Sequence, residues 1–172
     1  LTATATDAAG NVSLPSPAFT LNIDTAAPAI PGVFTLTDNT APITGNVTEG
    51  SALNDTRPVL RGAAGSVEGN ALVSVYEGTT LLGTTRAEAN GSWTFTPLTA
   101  LGNTSHALSI TATDAAGNVS GSSPVFNVTV DTVAPATPSA ITVNDNVGPI
   151  TGNLTNNGVT DDTLPLLSGT VE

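Results

Sequence analysis

Short stretches in which apolar and polar residues alternate recur along the whole chain. Alternation with a period of two, rich in Val, Thr, Ile and Phe, is typical of β-strands that bury one face. The segments RPVLRGA (57–63) and SHALSITAT (105–113) are clear examples. The pattern predicts seven strands, at residues 32–37, 57–63, 70–77, 80–87, 91–96, 105–113 and 124–131.

Turn-forming residues separate these strands. The connections EGTT (77–80) and EANGS (88–92) are short and polar, and the second contains an Asn-Gly pair that favours tight hairpin turns. Residues 38–56 are different, because they predict a long loop, and loops of that length are uncommon unless they are functional or disordered. Seven short strands with such turns predict an all-β protein, an immunoglobulin-like seven-stranded antiparallel β-sandwich.

The alternation also assigns the residues of each strand to two faces and, for most strands, predicts which face is buried. In 70–77, Leu72, Ser74 and Tyr76 fall on one face and Val73, Val75 and Glu77 on the other, and the pattern leaves open which set is buried. The other predicted core residues are apolar positions that share one face of their strand. They are Leu108, Ile110, Ala112, Phe126, Val128 and Val130, with Trp93 or Phe95 and Phe34 or Leu36.

The chain also contains part of itself twice, at a constant shift of 107 residues. Residues 1–24 return as 108–131 with 15 of 24 identities, and residues 25–65 match 132–172 with 19 of 41 identities, without a gap. A period of this length is a whole domain rather than one turn of a solenoid. We therefore expect tandem repeats of period 107, in a segment of a longer protein.

The period divides the chain into three parts. Residues 1–24 are expected to be the C-terminal part of a preceding Ig-like repeat, 25–131 a complete repeat, and 132–172 the N-terminal part of a following repeat. Residues 38–56 recur as residues 145–163. Both copies have an aspartate near each end, Asp38 and Asp55 in the first and Asp145 and Asp162 in the second.

Composition narrows the range of functions. Fourteen acidic residues face three arginines, there is no lysine, and the net charge is −11, which argues against nucleic acid or an anionic membrane as a partner. The absence of cysteine excludes disulfides and thiolate chemistry, and no apolar run is long enough for membrane insertion in this segment. With a single histidine and no nucleophile-elbow motif, the chain is not expected to be an enzyme.

The acids are predicted to collect at the two poles of the sandwich, because strand direction alternates and assigns each loop to one end. Oxygen-rich loops with almost no basic residues favour Ca²⁺, which takes six to eight oxygen ligands, whereas Zn²⁺ prefers His and Cys. No EF-hand loop is present. The expected cofactor is therefore Ca²⁺, and the candidate ligands are Asp24, Asp38, Asp55, Glu68, Asp114, Asn118, Asp131, Asp145 and Asp162.

Four segments carry a resemblance to a known family: ATDAAGNVS, VDTVAP, VEGNALVSVYEGTTLLGTT and NGSWTFTP. They closely resemble the bacterial Ig-like repeats of giant surface adhesins, such as biofilm-associated proteins and type I secreted non-fimbrial adhesins. The resemblance implies an extracellular or cell-surface spacer repeat that supports cell adhesion and biofilm formation, with Ca²⁺ at the interdomain junctions. It also implies two kinds of partner: neighbouring repeats of the same chain and other copies of the adhesin.

Two other functions stay open at this point: a module that binds a carbohydrate or protein, and a module for homotypic association between rods. Trp93 is expected in the core rather than on a sugar-stacking surface. His106 is expected to be exposed and without a role.

Overall fold

The computed structural model describes residues 1–171, and this part of the chain is all-β, with twelve strands and no helix. The strands are β1 (Thr35–Asp38), β2 (Gly45–Val47), β3 (Ala52–Leu53), β4 (Val59–Gly62), β5 (Leu72–Glu77), β6 (Thr80–Arg86), β7 (Trp93–Phe95), β8 (Ser105–Thr113), β9 (Phe126–Val130), β10 (Ser139–Asp145), β11 (Gly152–Leu154) and β12 (Leu166–Thr170).

The first nine strands form the two sheets of a sandwich. One sheet has the order β2-β1-β4-β7 and the other the order β3-β9-β8-β5-β6. Each of the seven strands expected from the sequence has a counterpart, in β1, β4, β5, β6, β7, β8 and β9. All pairs within these sheets are antiparallel except that between β3 and β9. The predicted class, an all-β Ig-like sandwich, is confirmed.

The core lies between the two sheets and consists of the residues that alternation places on one face. In β5 the buried set is Val73 and Val75, which resolves the choice that the sequence left open. Both members of each undecided pair are buried, since Phe34, Leu36, Trp93 and Phe95 all belong to the core. The Phe34 ring packs against those of Trp93 and Phe126, with centroids 6.0 and 5.6 Å apart. The interior is therefore filled by side chains.

The expectation of a long loop at 38–56 is wrong, because the segment contains β2 and β3. The first of these strands pairs with β1, and β3 pairs in parallel with β9, where Leu53 lies opposite Val130. The segment therefore passes from one sheet to the other. Strands of two and three residues are too short to show an alternating pattern, and the parallel pairing depends on a partner far away in the sequence.

Residues 133–171 belong to a second compact unit, separate from residues 1–132. Its three strands have the order β11-β10-β12, the same arrangement that β2-β1-β4 has in the complete repeat. The pairing Asp145–Gly152 corresponds to Asp38–Gly45 at the shift of 107. This unit has no second sheet within the described residues, so its apolar positions are exposed; Leu167, equivalent to the buried Leu60, is 66% exposed.

His106 lies inside the complete repeat, so the expectation that it is exposed is wrong. Its side chain is buried between two acceptors: Nδ1 is 2.5 Å from Glu77 Oε1 and Nε2 is 2.9 Å from the carbonyl oxygen of Gly102. Each ring nitrogen thus has an oxygen as its hydrogen-bond partner. The histidine thereby ties the loop before β8 to the end of β5.

Replacing Glu77 with alanine is expected to lower the free energy of unfolding by about 1–3 kcal/mol, because Nδ1 of the buried imidazole then lacks a partner. Chemical denaturation measures the change. Glu88→Ala removes an exposed carboxylate from the same domain and serves as the control. Equal losses in the two variants would show that the contact with His106 contributes nothing specific.

Candidate functional site

Asp38 and Asp55 lie together at one pole of the complete repeat. Asp38 ends β1, and its Oδ1 accepts a hydrogen bond from the backbone N–H of Thr40 at 2.7 Å. Asp55 Oδ2 accepts from the N–H of Asn39 at 3.0 Å and Oδ1 from that of Arg57 at 2.8 Å. Both aspartates are buried. In the described part of the chain neither forms an ion pair with a basic side chain, so backbone amides are their main partners.

The second copy reproduces this arrangement. Asp145 and Asp162 are buried, and the N–H groups of Asn146 and Leu164 bond to Asp162 as those of Asn39 and Arg57 bond to Asp55. The two copies differ at one position. Thr160 of the second copy donates a hydrogen bond from its Oγ1 to Asp145 Oδ2 at 2.7 Å, whereas the equivalent residue of the first copy, Leu53, lies in the core. The aspartate pair is thus a recurring local structure.

Asp131 reaches the same pole as Asp55. Its backbone N–H donates to the carbonyl of Leu53 at 2.9 Å, two residues before Asp55, and the residue is exposed. Thr132, which follows, bonds through its Oγ1 to Asn103 Oδ1 at 3.0 Å. The loop before β8 therefore holds the point at which the chain leaves the complete repeat.

At the other pole the turn after β8 is organised by Asp114. Its Oδ1 accepts from the N–H groups of Ala116 and Asn118 at 2.9 and 2.8 Å, and its Oδ2 from Asn118 Nδ2 at 2.8 Å. The Asn118 side chain also donates to the carbonyl of Asp24 at 3.2 Å, which brings two predicted site residues together. Glu68 lies exposed in another loop, the one that precedes β5.

Hydrogen bonding lowers the pKa of Asp114 below its ordinary value. The side-chain bond from Asn118 is the largest cause, the backbone N–H groups of Asn118 and Ala116 act in the same direction, and partial desolvation opposes them. Asp7 makes the same bonds with Asn11 and Ala9, and its pKa is lowered for the same reasons. Both copies of the DAAGN segment therefore fold into one type of carboxylate-capped turn.

Replacing Asn118 with alanine is expected to raise the pKa of Asp114 towards the ordinary value near 3.9, because the largest stabilising bond to the carboxylate is lost. A lowered pKa in the folded state stabilises the fold above the unfolded-state pKa, and that stabilisation is lost as the pH falls through the folded-state pKa. NMR titration of the side-chain carboxyl carbon measures the shift. Asn11→Ala is the matched control, since it should raise the pKa of Asp7 alone; an unchanged Asp114 pKa in Asn118→Ala contradicts the assignment.

The structure brings the predicted site residues together in pairs rather than in one cluster. Asp55 bonds to the residue that follows Asp38, Asp162 bonds to the residue that follows Asp145, and Asn118 contacts both Asp114 and Asp24. Nowhere in residues 1–171 do three or more His, Cys, Asp or Glu side chains gather in a group that could hold a metal ion. Calcium bound at a pole would accordingly need backbone carbonyls and water besides these side chains.

Sequence reasoning missed a pair of serines that continue the pairing along β8 past the residues that β9 contacts. Ser120 Oγ accepts from the N–H of Ala112 at 2.9 Å and Ser123 Oγ from that of Ile110 at 3.0 Å, while the two serine N–H groups donate back to the same residues. Ser13 and Ser16 make equivalent bonds in residues 1–24. The signal was present, because both serines recur at the shift of 107.

Comparison with known proteins places this architecture in a family. The sequence model of the bacterial Ig-like domain matches residues 30–132. Exoglucanase B of Cellulomonas fimi is 38% identical over 152 residues, an alignment that covers 81% of this chain and 12% of that protein. The described residues include no helix with the length and apolar character of a membrane span. The sandwich of residues 30–132 and the family match agree, and the chain belongs to the bacterial Ig-like domain family.

Proposed function

We propose that this chain is a spacer segment of a long bacterial cell-surface adhesin, in which tandem Ig-like repeats support cell adhesion and biofilm formation. One observation carries the proposal: the strands β1, β2 and β4 recur as β10, β11 and β12, with the same capped turns, at a shift of 107 residues. Repetition of a whole domain in one chain produces length, and length is what a spacer contributes. The expected place of action is outside the cell, at the bacterial surface.

The chemistry of the complete repeat supports a non-enzymatic role. Its acids cap turns, as Asp38, Asp55 and Asp114 do, and its histidine is enclosed by Glu77 and Gly102. The apolar faces of the two sheets meet in a filled core. These groups are occupied in holding loops in place, which is the property that a repeating structural unit requires.

Calcium at the poles is the second element of the proposal. Asp38 and Asp55, with Asp131 beside them, are the side chains that would hold the ion at one pole, and Asp114 with the Asp24 carbonyl at the other. Two features support this: Asp38 and Asp55 are buried without a basic partner in the described chain, and a divalent cation would offset their mutual repulsion. Ca²⁺ accepts backbone carbonyls and water as ligands, which would complete the coordination.

Removing calcium is expected to lower the melting temperature and shorten the particle in small-angle scattering, because the repeats lose the ions that fix their junctions. Calorimetry and scattering with Ca²⁺ and with chelator measure both effects. The double variant Asp38→Asn, Asp55→Asn should reduce both responses, whereas Asp161→Asn, an exposed aspartate, should retain them. Identical scattering with and without chelator would remove calcium from the proposal and leave the spacer role intact.

The comparison with Exoglucanase B favours a second candidate. This chain matches a part of a protein whose name denotes a glucan-cleaving enzyme. The same spacer function would then separate the domains of a secreted enzyme rather than carry an adhesive tip. Sequencing the full transcript distinguishes the two, since a catalytic domain or a long array of further repeats would adjoin this segment.

A further inference from the structure

Two of the three basic side chains line one groove on the complete repeat. The groove has a volume of about 330 Å³ and is lined by Arg61 of β4, by Arg86 of β6 and by residues of β7. Since β6 is the edge of one sheet and β7 the edge of the other, the groove follows the open side of the sandwich. None of the candidate calcium ligands lines it.

Both arginines of the groove lack an acidic partner in the described chain. Arg86 Nη1 donates to the carbonyl of Asn70 at 2.7 Å, and Arg61 Nη1 lies 3.5 Å from Thr94 Oγ1. Neither forms an ion pair with a carboxylate in residues 1–171, although the sequence contains fourteen acidic residues. A guanidinium has five N–H donors, so most of the donors of Arg61 and Arg86 are available to an external anion.

The rest of the lining is polar and includes one acid. Thr85, Ser92 and Thr94 contribute hydroxyl groups, and the exposed Glu88 contributes a carboxylate that forms no ion pair with either arginine in the described chain. Trp93 also lines the groove, but only 3% of it is exposed, so its ring offers no surface for stacking on a ligand. Its indole N–H is buried without a hydrogen-bond partner among the described residues, next to Gly62 in the groove wall. A ligand here would be recognised by hydrogen bonds and charge.

Two of the three arginines are absent from the second copy. At the shift of 107, Ser168 replaces Arg61 and Leu164 replaces Arg57, whereas Asp38 and Asp55 are retained as Asp145 and Asp162. The structure that both copies share therefore does not require Arg61. Arg61 is thus a charge that the shared structure does not need, and it lines the same groove as a second arginine without an acidic partner.

We infer that this groove binds the carboxylate of an acidic sugar, a uronate unit of an anionic polysaccharide. The planar guanidinium forks of Arg61 and Arg86 match a carboxylate, and the threonine and serine hydroxyls match the hydroxyl groups of a sugar ring. A second copy of this chain is disfavoured, because each copy has a net charge of −11 and a short oligosaccharide brings far less repulsion. The spacer function does not need this site, so the inference goes beyond it.

Titration with trigalacturonate, followed by NMR and calorimetry, tests the inference, with cellotriose as the neutral probe. We expect trigalacturonate to bind and to shift the single indole N–H resonance, that of Trp93, and cellotriose to have no effect. Arg61→Ser, the residue of the next repeat, and Arg86→Gln should each weaken binding by about tenfold or more. Arg57→Leu, which changes the arginine outside the groove, should bind like the wild type.

Three outcomes would overturn the inference: no binding of trigalacturonate to the wild type, equal binding of cellotriose, or equal weakening by Arg57→Leu. Amide spectra of each variant show whether it is folded, and two independent arginine variants guard against one that is not. Sedimentation of the free protein tests the other partner, because self-association that depends on Arg61 without sugar binding would assign the groove to a second copy. Each of these results leaves the spacer proposal unaffected.

Discussion

Replacing Leu60 with alanine is expected to lower the free energy of unfolding of the complete repeat by about 2–5 kcal/mol. Leu60 lies in β4 at the centre of its sheet, is completely buried, and belongs to the core that the two sheets enclose. Truncation removes three carbon atoms from that core and leaves a cavity, because the strands on either side are held by their backbone pairing. Denaturant unfolding, followed by the fluorescence of Trp93, measures the loss.

The chain contains its own control for this substitution. Leu167 occupies the position equivalent to Leu60 in the second copy, in β12, but is 66% exposed. Leu167→Ala should change the unfolding free energy by no more than about 0.5 kcal/mol. A similar loss in both variants would mean that the cost comes from the local strand and not from the packing of two sheets.

Replacing Gly91 with alanine is expected to cost about 2–4 kcal/mol, which is the second largest effect. Gly91 follows Asn90 in the turn between β6 and β7, with φ of +80°. A Cβ atom there would lie 2.2 Å from the carbonyl oxygen of Val67 and 3.2 Å from the backbone nitrogen of Gly65. Since these are backbone atoms of a neighbouring loop, that loop must move for the methyl group to fit. Thermal unfolding measures the cost.

Gly117→Ala separates the cost of a positive φ from the cost of the close approach to another loop. Gly117 has φ of +95° in the turn after β8, yet a Cβ atom at this position would have no described neighbour within 4 Å beyond the adjoining residues. Its replacement should therefore show only the cost of the left-handed backbone conformation, about 1–2 kcal/mol. If Gly91→Ala costs no more than Gly117→Ala, the close approach of the two loops is not significant for stability.

The sandwich was predictable from the sequence because each long strand shows by itself the alternation of apolar and polar residues. In β8 the alternation of Leu108, Ile110 and Ala112 places three apolar residues on one face, and the structure buries all three. β2 and β3 were missed because two or three residues cannot establish a period. His106 was misplaced for a related reason, since its burial depends on Glu77 and Gly102, which come from other parts of the chain.

The sequence predicts the residue types of the candidate site but not the geometry of its hydrogen bonds. Alternating strand direction predicts Asp38 near Asp55 and Asn118 near Asp24; in the structure Asp55 bonds to the residue after Asp38, and Asn118 bonds to the carbonyl of Asp24. The same residue types also form hydrogen bonds that cap turns. Bonds within one turn, such as that between Asp114 and Asn118, cannot be predicted from the positions of the acids along the sequence. The basic groove could not be foreseen, because Arg61 and Arg86 line it from β4 and β6, which belong to different sheets.

The parallel pairing of β3 with β9 has a mechanical consequence for a tandem array. Tension would enter the complete repeat ahead of β1 at one pole and leave after β9 at the other, along the strand axes. The bonds from Gly50, Thr129 and Asp131 that join these strands at 2.8–3.0 Å lie across that direction. Such a tension would therefore shear these hydrogen bonds together, rather than break them one after another. A repeat built in this way would resist stretching through its hydrogen-bond geometry as well as through its core.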